Sequence, residues 1–263
     1  MMKGIWELLG GWLVLLGMVG ASVAARAQGP GWQAPVAVGV VSSTGSSGDM
    51  ESGVEAMAAD AAGNVYLAGH FRGTVAFGST SLTSAGTTTL FVAKWNPRTA
   101  AYVWVKPIWT TPRARVQALV VNGTALYLGG AFSGGTLGFG NFTLTSAGGV
   151  SYSSQGFVAK LTDAGSTADF TWAQVVAEGS FSDLTGLAVS GSNLYIGGQF
   201  MGTRTSFGAI ELTTTTPAPG TRFVARLTDA GLSSSFVWAQ AIGGADSYND
   251  VQVAVGTTGI YLA

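Results

Sequence analysis

The one histidine of the chain is the first residue to consider for chemistry, because histidine is the usual proton carrier near neutral pH. His70 follows Gly69 in a short apolar run, and two similar runs carry Ala131 and Gln199 at the same position. This variation favours a surface or loop-facing residue over a catalytic base. Serine is plentiful, but without a second histidine or a Gly-x-Ser-x-Gly elbow no serine can be nominated as a nucleophile.

Two acidic residues are the remaining candidates for catalysis, since a polysaccharide-cleaving enzyme needs only two carboxyl groups at a suitable separation. Asp183 and Asp250 precede equivalent segments of a repeat, and both could face the mouth of a channel. Gly53 and Arg115 occupy the corresponding positions in the other copies. Aspartate commonly stabilises turns through bonds to its own backbone, so turn roles are favoured and we assign no catalytic residue. An enzyme is the less favoured interpretation.

Metal and cofactor sites have no support in the sequence. The chain has no cysteine, no His-x-x-x-His pair and no aspartate-rich calcium loop. The absence of cysteine excludes disulfides, thiolate metal ligands and a cysteine nucleophile. We therefore expect no metal and no cofactor.

Exposed aromatic side chains are another route to ligand binding. Trp109 and Tyr152 lie in stretches that do not repeat, so we place them in loops, where packing is favoured over a ligand contact. Four other tryptophans recur at equivalent positions and are expected in the core: Trp32, Trp104, Trp172 and Trp238.

Charge and composition exclude several classes of protein. Charged residues make up 10% of the chain, which carries 12 basic and 13 acidic residues, 40 glycines and a hydrophobic share of 47%. This composition is neither that of a disordered polyampholyte nor that of a coiled coil. The charges are scattered singly, so we expect no nucleic-acid partner and no binding to anionic lipid.

An internal repeat organises most of the chain. Its clearest marker is a tyrosine in a short apolar run, followed in the first three copies by glycine at plus three, phenylalanine at plus five and glycine at plus seven. The tyrosines are spaced by 61, 68 and 66 residues: Tyr66, Tyr127, Tyr195 and Tyr261. Such agreement indicates one structural unit used several times.

Three further blocks share the register of the tyrosine. An apolar block precedes each tyrosine run, a Phe-Gly and Leu-Thr block follows it, and a Phe-Val-Ala-Lys or Phe-Val-Ala-Arg block leads through a turn to a tryptophan. The segments are short, rich in Val, Phe, Tyr, Leu and Thr, and bounded by Gly, Asn, Asp or Ser, which predicts strands. The unit is thus four main strands, with the Phe-Gly and Leu-Thr block as an extra hairpin or long connection.

Several of these strands are apolar on both faces, as in Val116–Val121 and Phe157–Lys160. Sheets stacked face to face bury both sides of their central strands, whereas a sheet with one wet face alternates. The pattern predicts an all-β protein, a β-propeller with about three and a half four-stranded blades of roughly 66 residues each. A parallel β-helix is disfavoured because its repeats are much shorter.

The strings DAAGNVYLAGHF, LTSAG, FVAK and WAQ resemble the repeats of the bacterial β-propeller-repeat family often called SBBP. The resemblance extends from Trp32 to Ala263. It implies a propeller of about seven blades in an exported protein, and it implies no catalytic residues. In the second copy Val121-Asn122-Gly123 replaces the Asp-x-x-Gly-Asn turn, so the resemblance carries no calcium site over to that turn.

The first 27 residues have the features of a signal peptide. Lys3 is followed by an apolar stretch from about Leu8 to Val19, and Ala25-Arg26-Ala27 suits signal peptidase. A membrane anchor is the competing interpretation, but the glycines within the stretch weaken a helix. We expect residues 1–27 to be removed, with Gln28 as the new N-terminus and no membrane span in the mature chain.

These features predict a secreted or cell-surface protein in which residues 28–263 are propeller repeats truncated at the C-terminus. The leading hypothesis is a non-catalytic recognition, adhesion or scaffold module with an extracellular protein or glycan as partner. The alternative is an extracellular glycoside hydrolase or lyase. Because the last copy stops at Ile260-Tyr261-Leu262-Ala263, we expect the chain to be a fragment of a longer product.

Overall fold

The computed structural model describes residues 40–42, 52–84, 88–110, 113–146, 154–179, 181–214, 220–243 and 250–263. These residues contain strands and no helix, which confirms the all-β prediction. The predicted signal peptide (1–27), Trp32 and Tyr152 lie outside the described residues.

The strands follow one another with short connections. They are β1 (Val40–Ser42), β2 (Ser52–Ala59), β3 (Val65–Phe71), β4 (Thr74–Phe77), β5 (Thr80–Thr83), β6 (Thr89–Asn96), β7 (Ala101–Thr110), β8 (Arg113–Asn122), β9 (Ala125–Ser133), β10 (Thr136–Phe139), β11 (Phe142–Thr145), β12 (Ser154–Asp163), β13 (Ala168–Val176), β14 (Ser182–Ser190), β15 (Asn193–Phe200), β16 (Arg204–Phe207), β17 (Ile210–Thr213), β18 (Thr221–Asp229), β19 (Ser234–Ala241), β20 (Val253–Val255) and β21 (Ile260–Leu262).

Each repeat forms one antiparallel sheet whose four main strands lie side by side in chain order. The sheet of repeat 1 contains β2-β3-β6-β7, that of repeat 2 contains β8-β9-β12-β13, and that of repeat 3 contains β14-β15-β18-β19. The pair β20-β21 corresponds to the first two strands of a fourth repeat. In every complete repeat the tyrosine strand is second and the Phe-Val-Ala strand is third, as the sequence predicts.

The Phe-Gly and Leu-Thr block forms the predicted extra hairpin. In the sequence it connects the second strand of each repeat to the third. It forms the pairs β4-β5, β10-β11 and β16-β17. In repeat 2 this hairpin pairs with the fourth strand of the preceding repeat, through Leu137 opposite Thr110 and Gly138 opposite Trp109. The hairpin of repeat 2 therefore extends the sheet of repeat 1, whereas β16-β17 of repeat 3 forms a two-stranded sheet of its own.

The core lies between neighbouring sheets. One cluster joins repeats 1 and 2 through residues such as Tyr66, Val116 and Phe157, and a second joins repeats 2 and 3 through Tyr127 and Leu184. The second and third strands are buried on both faces, as predicted for Phe157–Lys160, whereas Val116–Val121 belongs to the first strand β8 and is only partly buried. Packing between repeats thus supplies most of the apolar burial.

Glycine in the second strand allows two kinds of close approach. A Cβ on Gly129 would lie 2.4 Å from Cδ2 of Leu184 in the next repeat, and one on Gly130 would lie 2.1 Å from the carbonyl oxygen of Arg115 in the same sheet. The second contact arises at a β-bulge in the first strand, where Gln117 is the extra residue between Val116 and Ala118. Equivalent bulges place Glu55 and Thr185 as the extra residues of repeats 1 and 3.

Candidate functional site

A buried carboxylate of repeat 2 is held by three side chains of repeat 1. Asp163, at the end of β12, accepts hydrogen bonds at Oδ2 from Lys94 Nζ (2.6 Å) and the Tyr66 hydroxyl (2.7 Å). Its Oδ1 accepts from Trp104 Nε1 at 3.0 Å and from the backbone N–H of Gly165 at 2.9 Å. The Lys94 and Asp163 side chains are only 9% and 6% exposed, so both charges are almost fully removed from water. We call the tyrosine, cation and tryptophan of one repeat a carboxylate clamp.

The clamp is positioned by strand register. Tyr66 in β3 lies opposite Lys94 in β6, and Lys94 lies opposite Trp104 in β7. Directly paired residues of adjacent strands point to the same face of a sheet, so the three side chains form one row across repeat 1. The Tyr66 and Trp104 rings are 6.0 Å apart at their centroids, and Lys94 Nζ is 5.7 Å from the Tyr66 centroid. The Tyr66 ring therefore lies beside the ammonium group, and all three donors face Asp163 of repeat 2.

The same clamp recurs between repeats 2 and 3. Asp229 Oδ2 lies 2.6 Å from Lys160 Nζ and accepts a hydrogen bond from the Tyr127 hydroxyl at 2.7 Å. Its Oδ1 accepts from Trp172 Nε1 at 3.0 Å and from the Gly231 N–H at 2.9 Å. Two clamps with matching partners and distances show that the arrangement belongs to the repeat.

The donors of the clamp set the charge state of both carboxyl groups. Burial by itself would raise the pKa of Asp163, but hydrogen bonds from Lys94, Tyr66, Gly165 and Trp104 bring that pKa below its ordinary value. The pKa of Asp229 is likewise lowered against the effect of burial, by Lys160, Tyr127, Trp172 and Gly231. Burial and the neighbouring carboxylates raise the pKa of the Tyr66 hydroxyl, so Tyr66 stays a proton donor.

The clamps suit a structural role better than catalysis. Both carboxylate oxygens of Asp163 accept hydrogen bonds from protein donors, and the Lys94 side chain is only 9% exposed. A general acid or base must reach a substrate atom, and neither group has that access. The clamp instead joins two sheets at a fixed distance.

A second set of contacts joins the first strands of neighbouring repeats. Each uses the extra residue of a β-bulge, and we call these residues the bulge row: Glu55, Gln117 and Thr185. Glu55 Oε2 accepts from the Val116 N–H at 2.9 Å, and Thr185 Oγ1 accepts from the Val251 N–H at 2.8 Å. Val116 and Val251 hold equivalent positions in their repeats. The bulge row therefore performs the same linking task with three different residue types.

Asp183 lies beside this row. With the amide nitrogen of Gln117 turned towards the acceptors, it donates to Asp183 Oδ1 at 2.5 Å and to the Leu184 carbonyl at 2.7 Å. Burial raises the pKa of Asp183 to about 6, and the Asp250 charge adds to this, while Arg115 and the Gln117 bond act in the opposite direction. Asp183 is thus half-buried and interacts electrostatically with Asp250, the second acid singled out from the sequence.

The placement of Asp183 corrects one detail of the sequence interpretation. Asp183 does not precede its strand but lies within β14, opposite Gln199. Asp250 does precede β20 and is exposed. Turn formation therefore does not explain Asp183, whereas contact with the bulge row does.

The interpretation of His70 as a surface or loop-facing residue is wrong. His70 lies in β3, is only 7% exposed, and its Nδ1 is 3.1 Å from Glu55 Oε1. Its Nε2 is buried without a hydrogen-bond partner among the described residues. The ring orients Glu55, whose other oxygen meets Val116, so the histidine supports the first bulge contact.

The recurrent tryptophans were expected in the core. This is confirmed for those that a following repeat covers. Trp104 and Trp172 are 7% and 4% exposed, whereas Trp238 is half-buried. The loop placement of Trp109 is wrong, because it belongs to β7, where its partner Gly138 has no side chain. Trp109 is 48% exposed and is carried by a strand, so its ring presents an aromatic surface in a fixed position.

The residues that join the repeats were missed by the sequence reasoning, which counted aspartate only among the residue types that bound the strands. The available signal was a cation in the middle of an apolar strand, at Lys94, Lys160 and Arg226. A buried charge requires a partner, and an aspartate recurs shortly after two of these cations. That combination indicates charge pairing between repeats.

Within the described residues, no group of three or more His, Asp or Glu side chains could hold a metal ion. The same part of the chain contains no helix long and apolar enough to cross a membrane. A scan against protein-family models and a search of curated proteins found no match to this chain.

Proposed function

We propose that the chain forms part of a secreted β-propeller that acts as a non-catalytic recognition, adhesion or scaffold module, with an extracellular protein or glycan as its partner. The repeated four-stranded antiparallel sheets, packed face to face, support the propeller arrangement. The signal peptide predicted for residues 1–27 and the resemblance to SBBP-type repeats are the basis for proposing export.

The observation that carries the non-catalytic assignment is the use of the buried charges. Lys94 and Lys160 each meet an aspartate of the following repeat, and both ion pairs are about 10% exposed or less. Paired and hydrogen-bonded charges of this kind fix the distance between sheets without presenting a reactive group. These buried charges thus serve to hold neighbouring repeats together.

Trp109 is the residue best suited to contact a partner. Its ring stands on a strand, faces no opposing side chain at Gly138, and is half exposed. A rigid aromatic ring loses little conformational entropy on binding and can stack on a sugar or pack against a protein side chain.

The environment of Asp183 supports a second candidate function, that of an enzyme acting on polysaccharide. The pKa of Asp183 is raised to about 6, and Asp250 contributes to that shift, which is the environment of a carboxyl group able to donate a proton near neutral pH. The hydrogen bond from Gln117 and the nearby charge of Arg115 instead support a structural role for Asp183.

The two functions are distinguished by testing the full chain against a panel of extracellular glycans for binding and for product release. Binding without turnover, weakened by Trp109→Ala and unaffected by Leu232→Ala at an 84% exposed apolar position, supports the proposal. Turnover that is lost in both Asp183→Asn and Asp250→Asn, and kept in Asp169→Asn, would establish the enzyme instead.

A further inference from the structure

The third repeat carries the residues of a carboxylate clamp. Tyr195 in β15 lies opposite Arg226 in β18, and Arg226 lies opposite Trp238 in β19. This is the register of Tyr66, Lys94 and Trp104 in repeat 1, with arginine in place of lysine. The three side chains therefore form the same row on the same face of their sheet.

No aspartate among the described residues fills this third clamp. Arg226 Nε is buried and has no hydrogen-bond partner in that part of the chain. Tyr195 and Trp238 are half-buried, whereas Tyr66, Tyr127, Trp104 and Trp172, their counterparts in the filled clamps, are all buried. An arginine with an unsatisfied buried nitrogen is well suited to a planar carboxylate.

Within the part of the chain that the structure describes, β21 is paired with β20 alone. In repeat 2 the third strand, β12, pairs with the tyrosine strand β9 and carries Asp163 at its end. In the fourth repeat β20 pairs with β21, and the apolar side chains of β21 are exposed: Ile260 by 36%, Tyr261 by 56% and Leu262 by 41%. A strand added to β21 would pair with its backbone, as β6 pairs with β3 and β12 pairs with β9 in the first two repeats.

The filled clamps define the geometry that such a strand needs. The backbone N–H of Asp163 donates to the Thr124 carbonyl at 2.8 Å, and that of Asp229 donates to the Ser192 carbonyl at 2.8 Å. Thr124 and Ser192 each stand three residues before the tyrosine of their repeat, where the fourth repeat has Thr258. An aspartate bonded to the Thr258 carbonyl would point its carboxylate at Arg226.

We propose that Tyr195, Arg226 and Trp238 form a binding site for one aspartate carboxylate, delivered by a β-hairpin that pairs with β21 and carries Asp-Ala-Gly at its turn. The hairpin adds to the edge of β21, which gives backbone hydrogen bonds, and its aspartate supplies the specificity.

A second copy of this chain does not provide that hairpin. Asp163 and Asp229, the aspartates at the equivalent turns of repeats 2 and 3, are already held in filled clamps. The equivalent turn of repeat 1 has Asn96-Pro97-Arg98, which would bring a second cation towards Arg226. A second copy also could not place its own first strand against repeat 3. Val251 of the fourth repeat already packs there, against Gly186 and Gly197.

The test uses the full chain and a synthetic, fluorescently labelled peptide with the sequence of residues 154–176, which contains the Asp-Ala-Gly hairpin. Binding is measured by fluorescence anisotropy. We expect saturable binding that is weakened about tenfold or more when the peptide aspartate is replaced by asparagine, because a charge-assisted bond is lost. Arg226→Gln in the protein should weaken binding of the Asp peptide by a similar factor.

A double-mutant cycle separates a direct contact from a general loss of structure. If the carboxylate meets Arg226, the Arg226→Gln protein should hardly distinguish the Asp and Asn peptides. Tyr195→Phe, which keeps the ring, provides a second variant with a smaller loss, and Arg204→Gln, at an exposed cation paired with Glu211, is the matched control and should bind as the parent does. The inference would be overturned if no peptide binds, if both peptides bind equally to the parent chain, or if Arg226-dependent dimers form instead. Because it depends only on repeat geometry, it can fail without affecting the proposed function.

Discussion

Lys94 and Asp163 belong to neighbouring repeats, yet Lys94 Nζ lies 2.6 Å from Asp163 Oδ2 in a site almost closed to water. The same relationship joins Lys160 to Asp229 at 2.6 Å. Desolvation makes such a pair a weak source of net stability, but removing one partner leaves the other charge buried and uncompensated. The pair therefore acts chiefly on how each sheet is aligned with the next.

We expect Lys94→Met to destabilise the fold by about 3 kcal/mol, because Asp163 then keeps a buried charge without its cation. Urea unfolding followed by tryptophan fluorescence measures the change. Lys106→Met is the matched control: Lys106 pairs with Asp169, which is 85% exposed, and an exposed pair contributes roughly 1 kcal/mol or less. Equal losses in the two variants would contradict the structural role of the clamp.

Acid should weaken the joined repeats through Asp163 and Asp229. Their pKa values are lower in the folded protein than the ordinary value of 3.8, so the unfolded chain binds more protons in the range between the two values. Stability from these groups is complete above the unfolded pKa and is lost as the pH falls through the folded pKa. Urea midpoints between pH 5 and pH 2 should fall, and less steeply in Asp163→Asn.

Asp183 should contribute with the opposite sign. Its folded pKa is raised from 3.8 to about 6, so between these values the folded protein binds more protons than the unfolded chain. Stability from Asp183 is therefore complete below the unfolded pKa and falls, by on the order of 2 kcal/mol, as the pH rises through 6. Asp183→Asn should remove this fall in urea midpoints between pH 4 and pH 7, while Asp169→Asn should preserve it. A parent protein with no such fall would refute the prediction.

The strands, turns and extra hairpins could be predicted from the sequence because their signals are local. The tyrosine run and the Phe-Val-Ala block carry their own strand propensity, and Gly165 marks a turn with a positive φ of 92°. The clamp could not be predicted with the same ease, since Lys94 and Asp163 are far apart in the chain. Asp163 also forms the local bond to Gly165 expected of a turn aspartate, and this obvious role concealed the second one.

His70 shows why variation at one repeat position is a poor guide to burial. The sequence comparison of His70 with Ala131 and Gln199 indicated a surface residue, but all three are buried, and each lies opposite the second residue before the bulge residue of its own first strand. The bulge residues differ as well, from Glu55 to Gln117 to Thr185. A variable residue that changes together with its neighbour can be buried in every copy.

The close approach of backbone at the bulge predicts a graded response to alanine in the second strand. In Gly130→Ala the new Cβ would meet the Arg115 carbonyl oxygen at 2.1 Å, and backbone cannot move aside cheaply. In Gly129→Ala it would meet the side-chain carbons of Leu184 at 2.4 Å, and that side chain can change rotamer at a smaller cost. Gly259→Ala is the control, because no atom lies near its added Cβ.

We therefore expect Gly130→Ala to lose more than about 3 kcal/mol or to fail to accumulate as folded protein, Gly129→Ala to lose roughly half as much, and Gly259→Ala to stay close to the parent. Soluble yield and urea midpoints rank the three variants. Since Gly130 serves the bulge within one repeat and Gly129 serves the contact between repeats, this order means that the bulge tolerates less change than the interface. The reverse order would show that the sheets cannot separate to accommodate even a flexible side chain, and that the bulge itself can flatten.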